Sequence, residues 1–237
     1  MTATWWGLGL VWLGAALAAA ALGYLALAAA TWWRFGARPT TDNRGHDRLL
    51  DRFIPAFDVV ERHHIRVGAP PPVTFAAARE QDLLRVSLVR VIIRARELAL
   101  GARPDAAETP HGLLAATLEM GWGVLAEIPG HEVVVGAVTK PWEPNVTFRA
   151  VSPDRFGSFA DPGFVKIVWT LRADPTPDGG SIFRTETRAV ATDAAARARF
   201  RRYWAFASPG IALIRWLSLL PLKHDAERRV RPARAEA

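Results

Sequence analysis

The first 33 residues contain no Asp, Glu, Lys, Arg or His, and Trp5-Trp6 and Trp32-Trp33 bracket this apolar run. At 1.5 Å per residue, a helix from Trp5 to Trp33 reaches roughly 43 Å. That length crosses a hydrocarbon core of about 30 Å with both Trp pairs at headgroup level. The sequence therefore predicts one transmembrane helix over residues 1–33. A cleaved signal peptide fits less well, because Met1-Thr-Ala-Thr4 carries no basic residue and the apolar run is too long. Arg34, Arg38, Arg44, Arg48 and Arg52 follow the span directly. By the positive-inside rule they place the remainder of the chain on the cytoplasmic side, at a bacterial inner membrane.

All 30 basic and 23 acidic residues lie after residue 33, so that part carries the whole formal charge of +7. Only Lys140, Lys166 and Lys223 are lysines, which leaves 27 arginines. Arg in place of Lys, together with abundant Ala, fits a GC-rich bacterial genome and weakens a nucleic-acid reading. A basic face beside an anionic leaflet explains the charge more simply, at about 1 kcal/mol per nearby Arg. No nucleic-acid partner is expected. The absence of cysteine fits a reducing compartment.

Residues 34–57 are polar and interrupted by Pro39, Gly45 and Pro55, which reads as a juxtamembrane linker holding at most a short helical turn. Residues 59–67 alternate with period two, the pattern of a half-buried strand that ends at Pro70-Pro71-Pro72. Short and longer helices are predicted over 73–80 and 87–100, the second stopped by Gly101 and Pro104. Residues 121–128 and 131–140 flank Pro129-Gly130 as a β-hairpin, and 145–151, 164–173 and 181–191 supply further strands. Thr192-Asp193 caps a long last helix with a wide apolar stripe, in which Ser208-Pro209-Gly210 predicts a kink or break. Residues 203–222 are apolar enough for a second span. Arg215 in their middle argues for a core helix instead.

Three segments carry a family resemblance: Asp58-Val-Val-Glu-Arg-His-His-Ile-Arg-Val-Gly-Ala-Pro-Pro71, Trp122-Gly-Val-Leu-Ala-Glu127, and Phe183-Arg-Thr-Glu-Thr-Arg188 leading into residues 193–204. Together they resemble the START/SRPBCC superfamily, also called Bet v 1-like or polyketide cyclase-like, over residues 58–222. The resemblance implies an α+β helix-grip fold, a curved antiparallel β-sheet wrapped around a long C-terminal helix. It also implies an apolar cavity between them for lipids, sterols or polyketides. Residues 223–237 are left as a basic tail.

Glu61 and His63 share a strand face with Ile65 and Val67, where a carboxylate beside an imidazole suits acid-base chemistry. Thr185 and Thr187 share a face with Phe183 and offer hydroxyls, though β-branched residues suit any strand. Trp122, Trp142, Trp169 and Trp204 are candidate cavity walls or plain core. Adjacent His63 and His64 point to opposite faces, and His46, His111, His131 and His224 lack ligand spacing, so no metal site is expected. No GxSxG, phosphate-binding GK[ST] or GxGxxG motif is present, no catalytic residue is assigned and no cofactor is implied. Asn145-Val-Thr147 matches a glycosylation sequon that a cytoplasmic bacterial domain does not use. Arg197, Arg199, Arg201 and Arg202 read as a solvated basic face.

The expected function is membrane-anchored binding of a hydrophobic small molecule, with Glu61, His63, Trp122, Trp169, Phe183, Thr185, Thr187 and Trp204 as the candidate cavity residues. A cyclase or aromatase using Glu61 and His63, and a scaffold with a filled interior, are the alternatives. No feature specifies an oligomeric state.

Overall fold

The period-two segments pair into one antiparallel sheet. The computed structural model describes residues 3–34, 47–82, 91, 94, 98, 101 and 112–235, the side chains of residues 3–8 and 232–235 excepted. Among these, the strands are β1 (Val59–Val67), β2 (Gly123–Ile128), β3 (Glu132–Thr139), β4 (Phe148–Arg149), β5 (Val165–Pro175) and β6 (Ser181–Ala191), in the order β1-β6-β5-β3-β2, with β4 on β3. The hairpin turns at Pro129-Gly130, where Gly130 takes φ +71°, a conformation that costs glycine little. Only two residues of the strand predicted over 145–151 join the sheet.

Along β3 all eight residues are buried, which alternation of apolar and polar residues does not anticipate. The reason is that both faces of the sheet are covered. Val133 and Val135 point inward with Val67, Trp169, Leu171, Ala173 and Phe183, while Val134 and Val138 point outward with Val168.

The cover on the outer face comes from the segment expected to be a linker. Asp47 caps α2 (Arg48–Asp51), accepting from the Leu49 and Leu50 amides at 3.0 and 3.2 Å. Leu50, Phe53, Ile54 and Phe57 then bury against Val134, Val138 and Val168. At about 1.5–3 kcal/mol per buried large side chain, this segment is part of the core. The folded unit therefore includes residues 47–57, before the predicted boundary at residue 58. The short α5 (Pro153–Phe156) completes the layer, with Phe156 fully buried.

Beneath this layer Arg188 is only 1% exposed. It donates to Glu186 at 2.7 Å, Asp51 at 2.6 Å and the Ile54 carbonyl at 2.9 Å, and lies 5.1 Å from the Phe57 ring centroid.

On the inner face, α3 (Pro71–Glu80) opens with prolines where no amide partner is needed and buries Thr74, Phe75, Ala77 and Ala78. After it, Val91, Arg94 and Leu98 are helical and exposed. The rest of the helix predicted over 87–100 lies outside the described residues. The chain continues through α4 (Leu113–Glu119).

The last helix, α6 (Ala194–Ala235), is 42 residues long. Asp193 Oδ1 accepts the Ala196 amide at 2.8 Å, the predicted cap. The helix continues without a break through Ser208-Pro209-Gly210. Packing at both ends holds it. Ala196, Phe200 and Trp204 pack on Val59, Val165 and Ala189, and Leu219, Leu222 and Ala226 on Val67, Phe75 and Leu171. The helix also takes up most of the predicted tail.

The apolar N-terminal helix α1 (Ala3–Arg34) rests its last third against α6. The Tyr24 hydroxyl donates to the Phe206 carbonyl, and Ser208 Oγ meets Thr31 Oγ1 at 3.3 Å. Arg201 donates to the Trp32 carbonyl at 2.7 and 3.2 Å and stacks 4.1 Å from the Trp32 ring centroid. Arg201 is thus not part of a purely solvated face.

Candidate functional site

Because α6 meets the sheet tightly at both ends, its middle stands over the concave face without filling it. A cavity of about 260 Å³ lies there, between Trp169, Leu171, Phe183 and Thr185 of the sheet and Ile214, Arg215 and Ser218 of the helix. Leu113, Thr117 and Met120 from α4 and its end, with Trp122 and Phe148, form the far wall. The aromatic residues are locked by one another. Trp122 lies 4.9 Å from Phe148 in a tilted pair and 6.5 Å from Trp169 edge to face. Gln81 ties the end of α3 to the helix, its Nε2 donating to the Ser218 carbonyl at 2.7 Å.

One cation enters this wall. Arg215 Nη1 donates to Thr185 Oγ1 at 3.0 Å and Nη2 to Thr187 Oγ1 at 2.9 Å, and the guanidinium lies 5.3 Å from the Trp169 ring centroid. The two threonines are two residues apart on β6, so their hydroxyls emerge on the same face. Trp169 pairs with Thr187 across the β5–β6 ladder, which puts its ring beside them. Burial pulls the Arg215 pKa below its ordinary value, and the Glu61 charge pulls it back up. The group stays a cation, one that water solvates poorly.

The eight residues expected to line a cavity divide into three sets. Trp122, Trp169, Phe183 and Thr185 are in the wall. Thr187 reaches it through Arg215. Glu61, His63 and Trp204 are elsewhere. Glu61 and His63 face Thr187 and Thr185 across the β1–β6 ladder, on the inner side as expected, but they do not line the cavity. Glu61 Oε2 and His63 Nε2 lie 3.9 Å apart, and neither has a hydrogen-bond partner among the described residues. His63 instead lines a separate hollow of about 350 Å³ at the β1 edge, with Trp216 and Leu220. Trp204 packs with Phe200 and Ala196 in the cluster at the start of α6, and Trp142 borders the same cluster. Both belong to the core.

Sequence reasoning missed the wall supplied by Gln81, α4 and Ile214. It noted Arg215 only as an argument against a second span. A lone charge inside an otherwise apolar stretch was the available signal that it serves the interior. Among the described residues no group of three or more His, Asp or Glu side chains is placed to hold a metal ion.

No family model matches the chain, and no curated protein matches it. Among solved structures, protein MLL2253 from Mesorhizobium loti is 14% identical, covers 72% of this chain and 98% of its own, and has a TM-score of 0.29. Protein CV1439 from Chromobacterium violaceum is 11% identical over 65% of this chain and 96% of its own, with a TM-score of 0.25. Ara h 8.0201 is 10% identical over 65% and 98%, with a TM-score of 0.20. Similarity at these levels assigns this chain neither ligand nor activity. The α+β architecture, a six-stranded antiparallel sheet gripping a long C-terminal helix, stands on the chain's own coordinates.

Proposed function

We propose that this protein is a membrane-anchored binder of a hydrophobic small molecule, a START/SRPBCC-like domain that holds its ligand between sheet and C-terminal helix. The observation that carries this reading is the cavity itself. It is walled mainly by locked aromatic and aliphatic side chains, with a few convergent polar groups, the composition of a ligand site. Its volume of about 260 Å³ falls just below the range of roughly 300–1,000 Å³ usual for such sites. At a water's share of about 30 Å³, it holds a ligand of on the order of ten non-hydrogen atoms, or one end of a longer chain.

Anchoring rests on α1. Among the described residues two helices, α1 and α6, are long and apolar enough to cross a membrane, but α6 buries Phe200, Trp204, Leu219 and Leu222 in the core. Residues 9–27 of α1 are not covered in that way, and Leu10, Val11, Trp12, Leu13 and Leu17 are all exposed. Lipid is the natural cover for that surface. The arginines after Arg34 favour a cytoplasmic domain.

Native mass spectrometry of the full-length chain, released from an uncharged detergent, tests the binding reading. A defined hydrophobic adduct is expected on the wild type and not on Ile214→Trp, which fills the cavity. A bare wild-type protein, or an adduct that survives the substitution, overturns the reading.

A further inference from the structure

We propose that the cavity selects an acidic amphiphile, an apolar body ending in one carboxylate or phosphate monoester that docks on Arg215. This inference rests on the cavity being a ligand site and specifies the ligand's chemistry. The guanidinium presents five N–H donors, of which Thr185 and Thr187 accept two. Both acceptors are neutral hydroxyls. Among the described residues, no carboxylate comes within 4.0 Å of Arg215, although nearly every other half-buried arginine of the domain has one that close: Arg62, Arg172, Arg188, Arg197 and Arg229. The nearest acid acting on it is Glu61, felt as a charge without an ion pair.

A desolvated cation without a contacting counter-ion is costly, and the distant Glu61 charge offsets that cost only in part, so a fold retains such a cation where something else supplies the charge. The geometry around Arg215 is suited to that task. The two threonines hold the two terminal nitrogens and so fix the plane of the fork, and Trp169 backs its face. A planar, oriented guanidinium with unused donors matches the two oxygens of a carboxylate or phosphate, and such charge-assisted bonds are about twice as strong as neutral ones. Beyond Arg215 the wall turns apolar at Ile214, Trp122 and Phe148, the surface an alkyl or aromatic body requires.

Isothermal titration calorimetry on the full-length chain in nanodiscs of uncharged lipid, with empty nanodiscs as the blank, tests this with four probes sharing one tail. Octanoate and octyl phosphate carry the acid, octanol is neutral and octylamine is cationic. At least one acid is expected to bind 10-fold or more tighter than octanol, and octylamine more weakly than either. Whichever acid binds tighter identifies the head group. Arg215→Gln is expected to erase the preference for acid over alcohol without abolishing octanol binding, while Arg215→Lys keeps part of it. Equal binding of octanol and both acids by the wild type overturns the head-group assignment and leaves the cavity reading standing. Saturable binding of none of the probes removes both. If Arg215→Gln loses its cooperative thermal unfolding, the wild-type ratios and Arg215→Lys decide the question alone.

Discussion

The two faces of the sheet treat an inward-reaching arginine in opposite ways. On the outer face, under α2, Arg188 is enclosed by Glu186, Asp51 and a backbone carbonyl. On the inner face, under α6, Arg215 has two hydroxyls, an aromatic ring and an open space. The first arrangement neutralises its charge internally and closes a packed layer. The second leaves charge and volume unfilled together, which distinguishes a structural cation from one available to a ligand.

The outer face also neutralises its buried acid. Glu132 is 3% exposed, and its pKa is pushed up to about 8, first by burial and then by the hydrogen bond and charge of Asp47, with Arg172 opposing. It folds in by keeping its proton.

Breaking the outer arrangement has the largest expected effect. Arg188→Met strips Glu186 and Asp51 of their enclosed cation and is expected to cost about 3 kcal/mol, the lower end for breaking a buried pair, measured as a fall in urea midpoint. Were the cost no greater than for Arg215→Met, the contrast between the faces would fail.

Packing separates the faces next. At Gly136 an added methyl meets the Leu125 side chain and sits 3.0 Å from the Phe156 ring. Gly136→Ala is therefore expected to lose about 1–3 kcal/mol by overpacking. Ile214→Trp, a far larger addition on the cavity side, is expected to leave the melting temperature nearly unchanged.

The pH dependence of stability isolates Glu132. Its folded pKa lies above the unfolded value, so its contribution is complete below about pH 4.5 and is lost as the pH rises through about 8. Stability is expected to decline across that window by at most about 1.4 kcal/mol per pH unit, less where solvent screens the site. Glu132→Gln should flatten the decline, and a slope equal to that of the wild type would assign it to another group.

The smallest stability effect belongs to Arg215→Met. Two hydroxyls and the Trp169 face lose a partner and Glu61 loses the charge acting on it, while a desolvated cation leaves, so the expected change stays within about 1 kcal/mol. Chemical denaturation of both proteins in the same detergent checks it.

The strands of this protein were legible because period two survives wherever one face is wetter than the other. Residues 59–67 and 181–191 form strands with the bounds the alternation implies. The cap at Asp193 and the hairpin at Pro129-Gly130 followed from local chemistry. The outer cover was hidden among prolines and arginines, although Leu49, Leu50, Phe53, Ile54 and Phe57 carry helical spacing that a polar average obscures. Half of the expected cavity wall was in place because Trp169, Phe183 and Thr185 share the inner face of adjacent strands. Glu61 and His63 share that face too, yet sit at the sheet edge beside α6 rather than over the gap.

By itself, then, the sequence determined what depends on neighbours along the chain: the apolar N-terminal helix, the strands, the caps and the long amphipathic helix. The tertiary structure alone decided where α6 lifts from the sheet, which wall closes the gap and which arginine remains without an ion pair. Those properties arise from residues 28 to 137 positions apart, brought together by packing that no local pattern records.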